Sequence, residues 1–340
     1  FSLYVGIPFC PTRCAYCSFV SASVEKTFAM IGPYLDALCR EIALMGSAAA
    51  ELGLKVKSLY IGGGTPTTLS PAQLQTLLRA LAQHFDLSRL CEYTVEAGRP
   101  DTVTAEKLAV LAENGVTRVS INPQTMEEAV LEAIGRRHSA ADVYQAMELA
   151  KASGIPHINM DLIAGLPTDT PEGFSRTLDK CLALAPDNLT VHTLALKKGS
   201  RILLDGLPVP GAAEVGQMLD YSAAHLSQAG YTPYYLYRQK YMSGNFENVG
   251  WSKPGAEGLY NIYIMEELHS ILSVGAGGST KLVDPRTGHI VRHFNCKYAK
   301  EYLEKPEKWT QNRAQFFAFE RALLRDYGLL PEENTEGSDS

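Results

Sequence analysis

The chain has 340 residues, 46% hydrophobic and 20% charged, with a formal net charge of −6, an ordinary globular composition with enough chain for a large core and a smaller second unit. The mild acidity, without a long basic run, argues against a nucleic-acid surface as the main business, and no apolar segment reaches membrane-span length or forms a signal peptide. Seven cysteines, an odd number with three clustered, fit a reducing cytoplasm better than a disulfide framework.

The chain begins almost inside its first expected strand, Leu3 to Ile7, which reads as an excised domain or a processed start, with an upstream segment expected before it. Directly after that strand, Cys10, Cys14 and Cys17 form a C-x3-C-x2-C run, which Pro8, Pro11 and Thr12 place in a loop. Thiolates suit an iron–sulfur cluster or zinc. Zinc needs a fourth ligand, and no His occurs in the first eighty residues. The run therefore reads as a four-iron cluster site with three protein ligands and one iron left open to a small molecule. The plain alternative is three buried cysteines that pack like small hydrophobes. Cys39, Cys91, Cys181 and Cys296 are scattered and read as core or surface thiols.

Helical spacing of Leu35, Leu38, Ile42 and Met45 predicts a helix from Thr27 to Leu52. A strand follows over Val56 to Ile61, then a turn at Gly62 to Pro66. Ser70, Pro71 and Gln73 open the next helix with a capping-box pattern. The alternation continues with strands at Glu92 to Glu96, Arg118 to Asn122, Ile158 to Ile163 and Leu189 to Leu194. Helices are expected at Ala105 to Glu113, Ala140 to Ser153 and Glu172 to Leu184. Six strand–helix units up to residue 205 imply an α/β fold, a partial (β/α)6 barrel with active residues at the C-terminal ends of its strands.

After a linker at 206–211 the pattern predicts a smaller α/β domain over 206–330. Its helix at Glu214 to Gln228 precedes a strand from Tyr231 to Tyr241, with Tyr235, Tyr237 and Tyr241 on one face and Arg238 and Lys240 on the other. The tyrosine face is assigned to domain packing. A Gly- and Asn-rich loop is expected at 243–258, a helix over Ile262 to Leu272, and further helices at Lys297 to Leu303 and Asn312 to Tyr327. Pro331 to Ser340 reads as a disordered acidic tail.

With these motifs in place, the chain resembles the radical S-adenosylmethionine (SAM) superfamily, and within it the oxygen-independent coproporphyrinogen III dehydrogenase group. The resemblance rests on Tyr4 to Cys10 (Tyr-Val-Gly-Ile-Pro-Phe-Cys), Gly62 to Thr67, Val95 to Gly98, Ser120 to Gln124, Asp161 to Pro167, and a similar second domain. Glu96 to Asp101 is most similar to the HemZ-type branch, which is related to the heme-chaperone branch. The resemblance implies that Cys10, Cys14 and Cys17 bind a [4Fe-4S] cluster whose open iron is chelated by SAM. It implies an external electron donor of flavodoxin or ferredoxin type and a tetrapyrrole substrate.

It further implies that Gly63, Gly64 and Thr65 contact the methionyl part of SAM, and that Glu96 accepts from a ribose hydroxyl or an ammonium. Gln124, Arg136 and Asp161 match positions that meet a second SAM. Tyr4 and Tyr16 would pack beside cofactor, and the Ala195 backbone would lie near SAM. Each has an ordinary alternative: a tight turn for the glycines, an ion pair with Arg99 for Glu96, surface or capping roles for Gln124, Arg136 and Asp161, and core packing for the tyrosines. Arg238, Lys240, Lys197 and Lys198 are candidate rim cations for substrate propionates, or simply solvated charges.

Three departures bear on function. Ser18-Phe19 follows Cys17, where family dehydrogenases carry a fourth cysteine two residues on. Gly6 replaces a common His, and Tyr260-Asn261 stands where the heme chaperones have His-Asn. The reading is an enzyme converting coproporphyrinogen III to protoporphyrinogen IX. The alternatives are a heme-trafficking chaperone or a radical SAM enzyme acting on another tetrapyrrole.

Overall fold

A computed structural model describes residues 1–17, 22–23, 27–196, 200–238 and 242–330. Ser18 and Phe19, Lys197 and Lys198, Lys240 and Tyr241, and the tail from Pro331 to Ser340 lie outside the described residues.

Six parallel strands form the body of the molecule: β1 (Ser2–Ile7), β2 (Ser58–Gly63), β3 (Glu92–Glu96), β4 (Arg118–Ser120), β5 (His157–Ala164) and β6 (Asn188–Thr193). They pair in chain order, which is the half-barrel expected of repeated strand–helix units. The intervening helices include α1 (Ile31–Glu51), α2 (Pro71–His84), α3 (Ala105–Glu113), a short α4 (Glu128–Ala133), α5 (Ala140–Ala152) and α6 (Pro171–Ala183). Ser70 caps α2 as its sequence predicts, accepting from the Gln73 N–H while the Gln73 side chain accepts from the Ser70 N–H at 2.9 Å. Helix α4 was not expected.

Strand alternation decides what the barrel encloses. Leu3, Val5 and Ile7, Leu59 and Ile61, Val95, Met160 and Leu162, and Leu189 and Val191 are fully or almost fully buried in the main apolar core. The alternate positions, Tyr60, Glu96, Asn159, Asp161, Thr190 and His192, line a cavity instead. The core thus sits between sheet and helices, and the inner face of the sheet stays polar.

The rest of the chain extends this sheet at both edges. After α7 (Arg201–Asp205) and α8 (Ala212–Gln228), β7 (Thr232–Tyr237) and β8 (Asn248–Ser252) add antiparallel strands beside β6. Strand β9 (Ile271–Val274) pairs parallel with β1, and β10 (Ser279–Asp284) and β11 (His289–Phe294) follow antiparallel. The result is an 11-stranded sheet in the order β11-β10-β9-β1-β2-β3-β4-β5-β6-β8-β7. Two expectations fail here. The helix expected over Ile262 to Leu272 is a shorter α9 (Leu259–Met265), and its apolar end Ile271-Leu272 belongs to β9. The loop expected at 243–258 contains β8. Short apolar runs do not distinguish strand from helix by periodicity, and pairing with β1 or β6 decides the matter.

Helix α9 packs against both β7 and β2. The Glu92 carboxylate receives the backbone N–H groups of Leu259 (2.7 Å) and Tyr260 (3.1 Å), an anion at the positive end of a helix. Arg118 stands 3.6 Å from the same carboxylate and donates to the Ala256 carbonyl at 2.9 Å. The chain closes with α10 (Ala299–Glu304) and α11 (Glu307–Asp326), the latter against α1.

Candidate functional site

A cavity of about 340 Å³ opens at the C-terminal ends of the six parallel strands. Cys10, Cys14 and Cys17 border it, together with Tyr16, Gly63, Gly64, Thr65, Glu96, Gln124, Arg136, Asp161 and Ala195. Twelve of the thirteen residues that the resemblance assigns to cluster or SAM are thus brought to one space. The exception is Tyr4, which is not in the cavity wall. Its ring stacks 6.2 Å from Tyr60 and 6.4 Å from Tyr260, in an aromatic cluster below the cavity floor.

The cysteine loop is held from two sides. On one, the Thr65 N–H donates to the Phe9 carbonyl at 2.7 Å, and Thr65 Oγ1 lies 3.4 Å from Cys10 Sγ. A Cβ on Gly64 would sit 2.5 Å from the Phe9 carbonyl oxygen and 3.0 Å from Cys10 Sγ, so only glycine lets the two segments approach this closely. On the other, the Ala15 N–H donates to the Ile134 carbonyl at 2.9 Å, at the end of α4. Among the described residues, no three His, Cys, Asp or Glu side chains stand ready to grip a single metal ion. A cluster makes a different demand, because each thiolate takes a different iron and the sulfurs stay apart.

Two buried guanidinium groups flank this loop. Arg136 donates to the Tyr16 hydroxyl at 3.1 Å and to the Asn122 carbonyl at 2.5 Å. Burial works against its charge, but Tyr16 and Cys14 beside it raise its pKa overall. Arg99 is bound by Asp101 and reaches Cys14 and Thr12. It is not the partner of Glu96 that the sequence left open.

Glu96 instead accepts from the Tyr60 hydroxyl at 2.5 Å. Burial pushes its carboxyl up to about 7, with the nearby Asp161 charge adding, against the hydrogen bonds from Tyr60 and the Gly63 backbone. Asp161 has the opposite fate. Burial raises it, but hydrogen bonding and charge from His192, with hydrogen bonds from Asn159 and Thr190, hold it below the usual range. Asn159 Nδ2 donates to its Oδ1 at 2.8 Å, and His192 Nε2 lies 3.7 Å from Oδ2. Gln124 has a left-handed backbone (φ 69°), fixed by hydrogen bonds on both sides of its peptide with Asp161 and Ile163. Its side-chain Oε1 is buried and has no hydrogen-bond partner among the described residues.

Sequence reasoning missed Tyr60, His192 and Met265, which line the cavity together with Asn261, noted in the sequence only as half of the pair that stands where the chaperones have His-Asn. Alternation with Gly62 was the signal for Tyr60; nothing local marked Met265, which α9 brings in from a distance. Tyr235 and Tyr237, assigned to packing, also border the cavity, with rings stacked 6.3 Å apart. Arg238, a candidate rim cation, is paired with Glu247.

Comparison with known proteins agrees with this geometry. The model of the radical SAM superfamily matches residues 4–181. The oxygen-independent coproporphyrinogen-III oxidase-like protein HemZ of Bacillus subtilis is 42% identical over 318 residues, 93% of this chain and 64% of that protein. The chain therefore spans less than two thirds of that relative. The heme chaperone HemW of Lactococcus lactis is 33% identical over 299 residues, 86% of this chain and 73% of that protein. The structure of Escherichia coli coproporphyrinogen III oxidase HemN superposes with a TM-score of 0.73 at 23% identity, covering 97% of this chain and 79% of that one, a likeness of fold.

The residues present fit the cofactors of that superfamily. Three thiols border one cavity, the Gly64 cradle would be filled by any Cβ, and the Gln124 oxygen is buried there without a partner. This chain belongs to the radical SAM superfamily, among relatives that include coproporphyrinogen oxidases and heme chaperones, and its cofactors are a [4Fe-4S] cluster and S-adenosylmethionine.

Proposed function

We propose that the chain is an enzyme that oxidatively decarboxylates two propionates of coproporphyrinogen III, giving the vinyl groups of protoporphyrinogen IX. The observation that carries this reading is the single cavity that joins the three thiols to a polar wall holding Arg136, Glu96 and Asp161. The names of the HemZ and HemN relatives support the substrate class.

When bound, the cluster and SAM supply one-electron cleavage of a sulfonium and removal of a hydrogen atom from carbon. In this reading Cys10, Cys14 and Cys17 hold the cluster, and the backbone of Gly63 to Thr65 receives the methionyl group. Glu96 binds an ammonium or a ribose hydroxyl. Gln124, Arg136 and Asp161, with the Ala195 backbone, meet a second SAM, where the Arg136 fork suits a carboxylate. Tyr16 positions Arg136. Tyr4 supports Tyr60 from behind, a packing role. Each propionate loses a hydrogen atom from its β-carbon, then CO2, and passes one electron to an external acceptor. A flavodoxin- or ferredoxin-type protein delivers the initiating electron in a cytoplasmic setting. No described helix is long and apolar enough to cross a membrane. Residues 206–330, taken as a second unit, close the open side of the barrel through α9.

Anaerobically reconstituted protein with SAM, a reductant and coproporphyrinogen III should release 5′-deoxyadenosine together with a vinyl product. Deoxyadenosine without vinyl product moves the reading to another tetrapyrrole. The HemW likeness favours heme carriage as the second reading. Tyr260, at the position of the chaperones' His, is buried against Tyr60 with ring centres 4.6 Å apart. A heme titration that leaves the Soret band unchanged eliminates carriage.

A further inference from the structure

We propose that Arg99 tunes the reduction potential of the cluster through Cys14. Its Nη1 lies 3.8 Å from the Cys14 sulfur and 2.8 Å from Thr12 Oγ1. Asp101 clamps the guanidinium from the other side, with Nε to Oδ1 at 3.0 Å and Nη2 to Oδ2 at 3.1 Å. A fork held this way has little rotational freedom, so Nη1 is aimed at the cysteine loop. The backbone is fixed as well, because Thr102 Oγ1 donates to the Arg99 carbonyl at 2.7 Å. Burying a guanidinium is costly. Here that cost accompanies one N–H presented to one ligand sulfur.

The electrostatics give the sign. In the one-electron couple, [4Fe-4S]2+ accepts an electron from an external one-electron donor to give [4Fe-4S]+, and negative charge spreads onto the thiolate sulfurs. A donor N–H at a sulfur stabilises the reduced form more, and such hydrogen bonds are among the factors that set cluster potentials. Asp101 offsets this only in part. Its side chain is 27% exposed and screened by water, while that of Arg99 is 2% exposed, so the buried end of the pair is positive.

The inference rests on Cys14 as a cluster ligand, and the experiment separates the two. Reconstituted wild type, Arg99→Gln and Asp101→Asn holoproteins are assayed for iron and sulfide, then titrated against dithionite with the reduced cluster followed by electron paramagnetic resonance. Arg99→Gln should lower the potential, cutting the reduced-to-oxidised ratio at a fixed poise about tenfold, equivalent to about 59 mV for one electron. Asp101→Asn, which leaves the guanidinium unneutralised, should shift it upward. Arg99→Gln with full iron and an unmoved potential overturns the proposal. If that variant does not load, an Asp101→Asn potential equal to wild type overturns it. A wild type that binds no cluster strikes the ligand assignment instead.

Discussion

The Tyr60 hydroxyl donates to Glu96 Oε1 across 2.5 Å, from one strand to its neighbour on the inner face of the half-barrel. This contact leaves the carboxylate two tasks, holding a proton and receiving a ligand. With its carboxyl pushed up to about 7 by burial, Glu96 is only partly charged near neutrality. If it pairs with the SAM ammonium, binding requires the charged form, so affinity should rise with pH. Wild-type affinity should fall about tenfold from about pH 8 to about pH 6. Glu96→Gln should bind weakly at both and show no such slope, as measured by calorimetry on cluster-loaded protein.

Arg136 makes a different prediction because its charge cannot be removed by pH. Arg136→Lys keeps the cation but loses the planar fork. SAM affinity or turnover should drop at least about tenfold, with iron content close to wild type. Unchanged binding and turnover would show that the guanidinium serves structural partners such as Tyr16 and the Gly98 and Asn122 carbonyls.

A second buried carboxylate holds the two ends of the fold together. Glu41 on α1 is fully buried and accepts from the Gly275 N–H (2.7 Å), Asn295 Nδ2 (3.0 Å) and the Tyr302 hydroxyl (2.6 Å). Glu41→Ala strands three buried donors and should cost about 3 kcal/mol or more in urea unfolding. Burial raises the Glu41 carboxyl from 4.5 to about 7, against those hydrogen bonds. The folded state therefore holds a proton that the unfolded chain releases. Its contribution is full below pH 4.5 and is lost as pH rises through about 7. Glu41→Gln should flatten stability across that window.

Gly275 tests the same junction sterically. It has φ +88°, and a Cβ there would stand 2.4 Å from the Gly6 carbonyl oxygen, while a Cβ on Gly6 would stand 2.7 Å from the Ala276 oxygen. The residue that replaces the family's common His is thus one half of a backbone-to-backbone contact between β1 and the loop after β9. Gly275→Ala should cost more than about 2 kcal/mol. Gly53→Ala, with φ +64° but open space around it, should cost only about 1 kcal/mol. Equal losses in chemical unfolding would refute the steric account.

What the sequence determined by itself was the repeating part of the molecule. Period-2 and period-3.6 patterns, the Ser70 cap and the glycine after Ile61 are local signals, so the six parallel strands, most of their helices and the cysteine loop could be read residue by residue. Placing active residues at strand ends followed from that alternation, and it gathered Cys10, Glu96, Gln124 and Asp161 into one space. Tertiary structure decided what depends on partners distant in the chain. Ile271–Val274 is a strand because β1 offers it an edge, Tyr235 and Tyr237 face the cavity because β7 pairs with β8, and Tyr4 is withdrawn because Tyr60 and Tyr260 cover it. The contact of Arg99 with Cys14 belongs to the same class. Hydrogen bonds and packing between segments far apart in sequence leave no periodic trace, since neither segment's local pattern records which partner it meets.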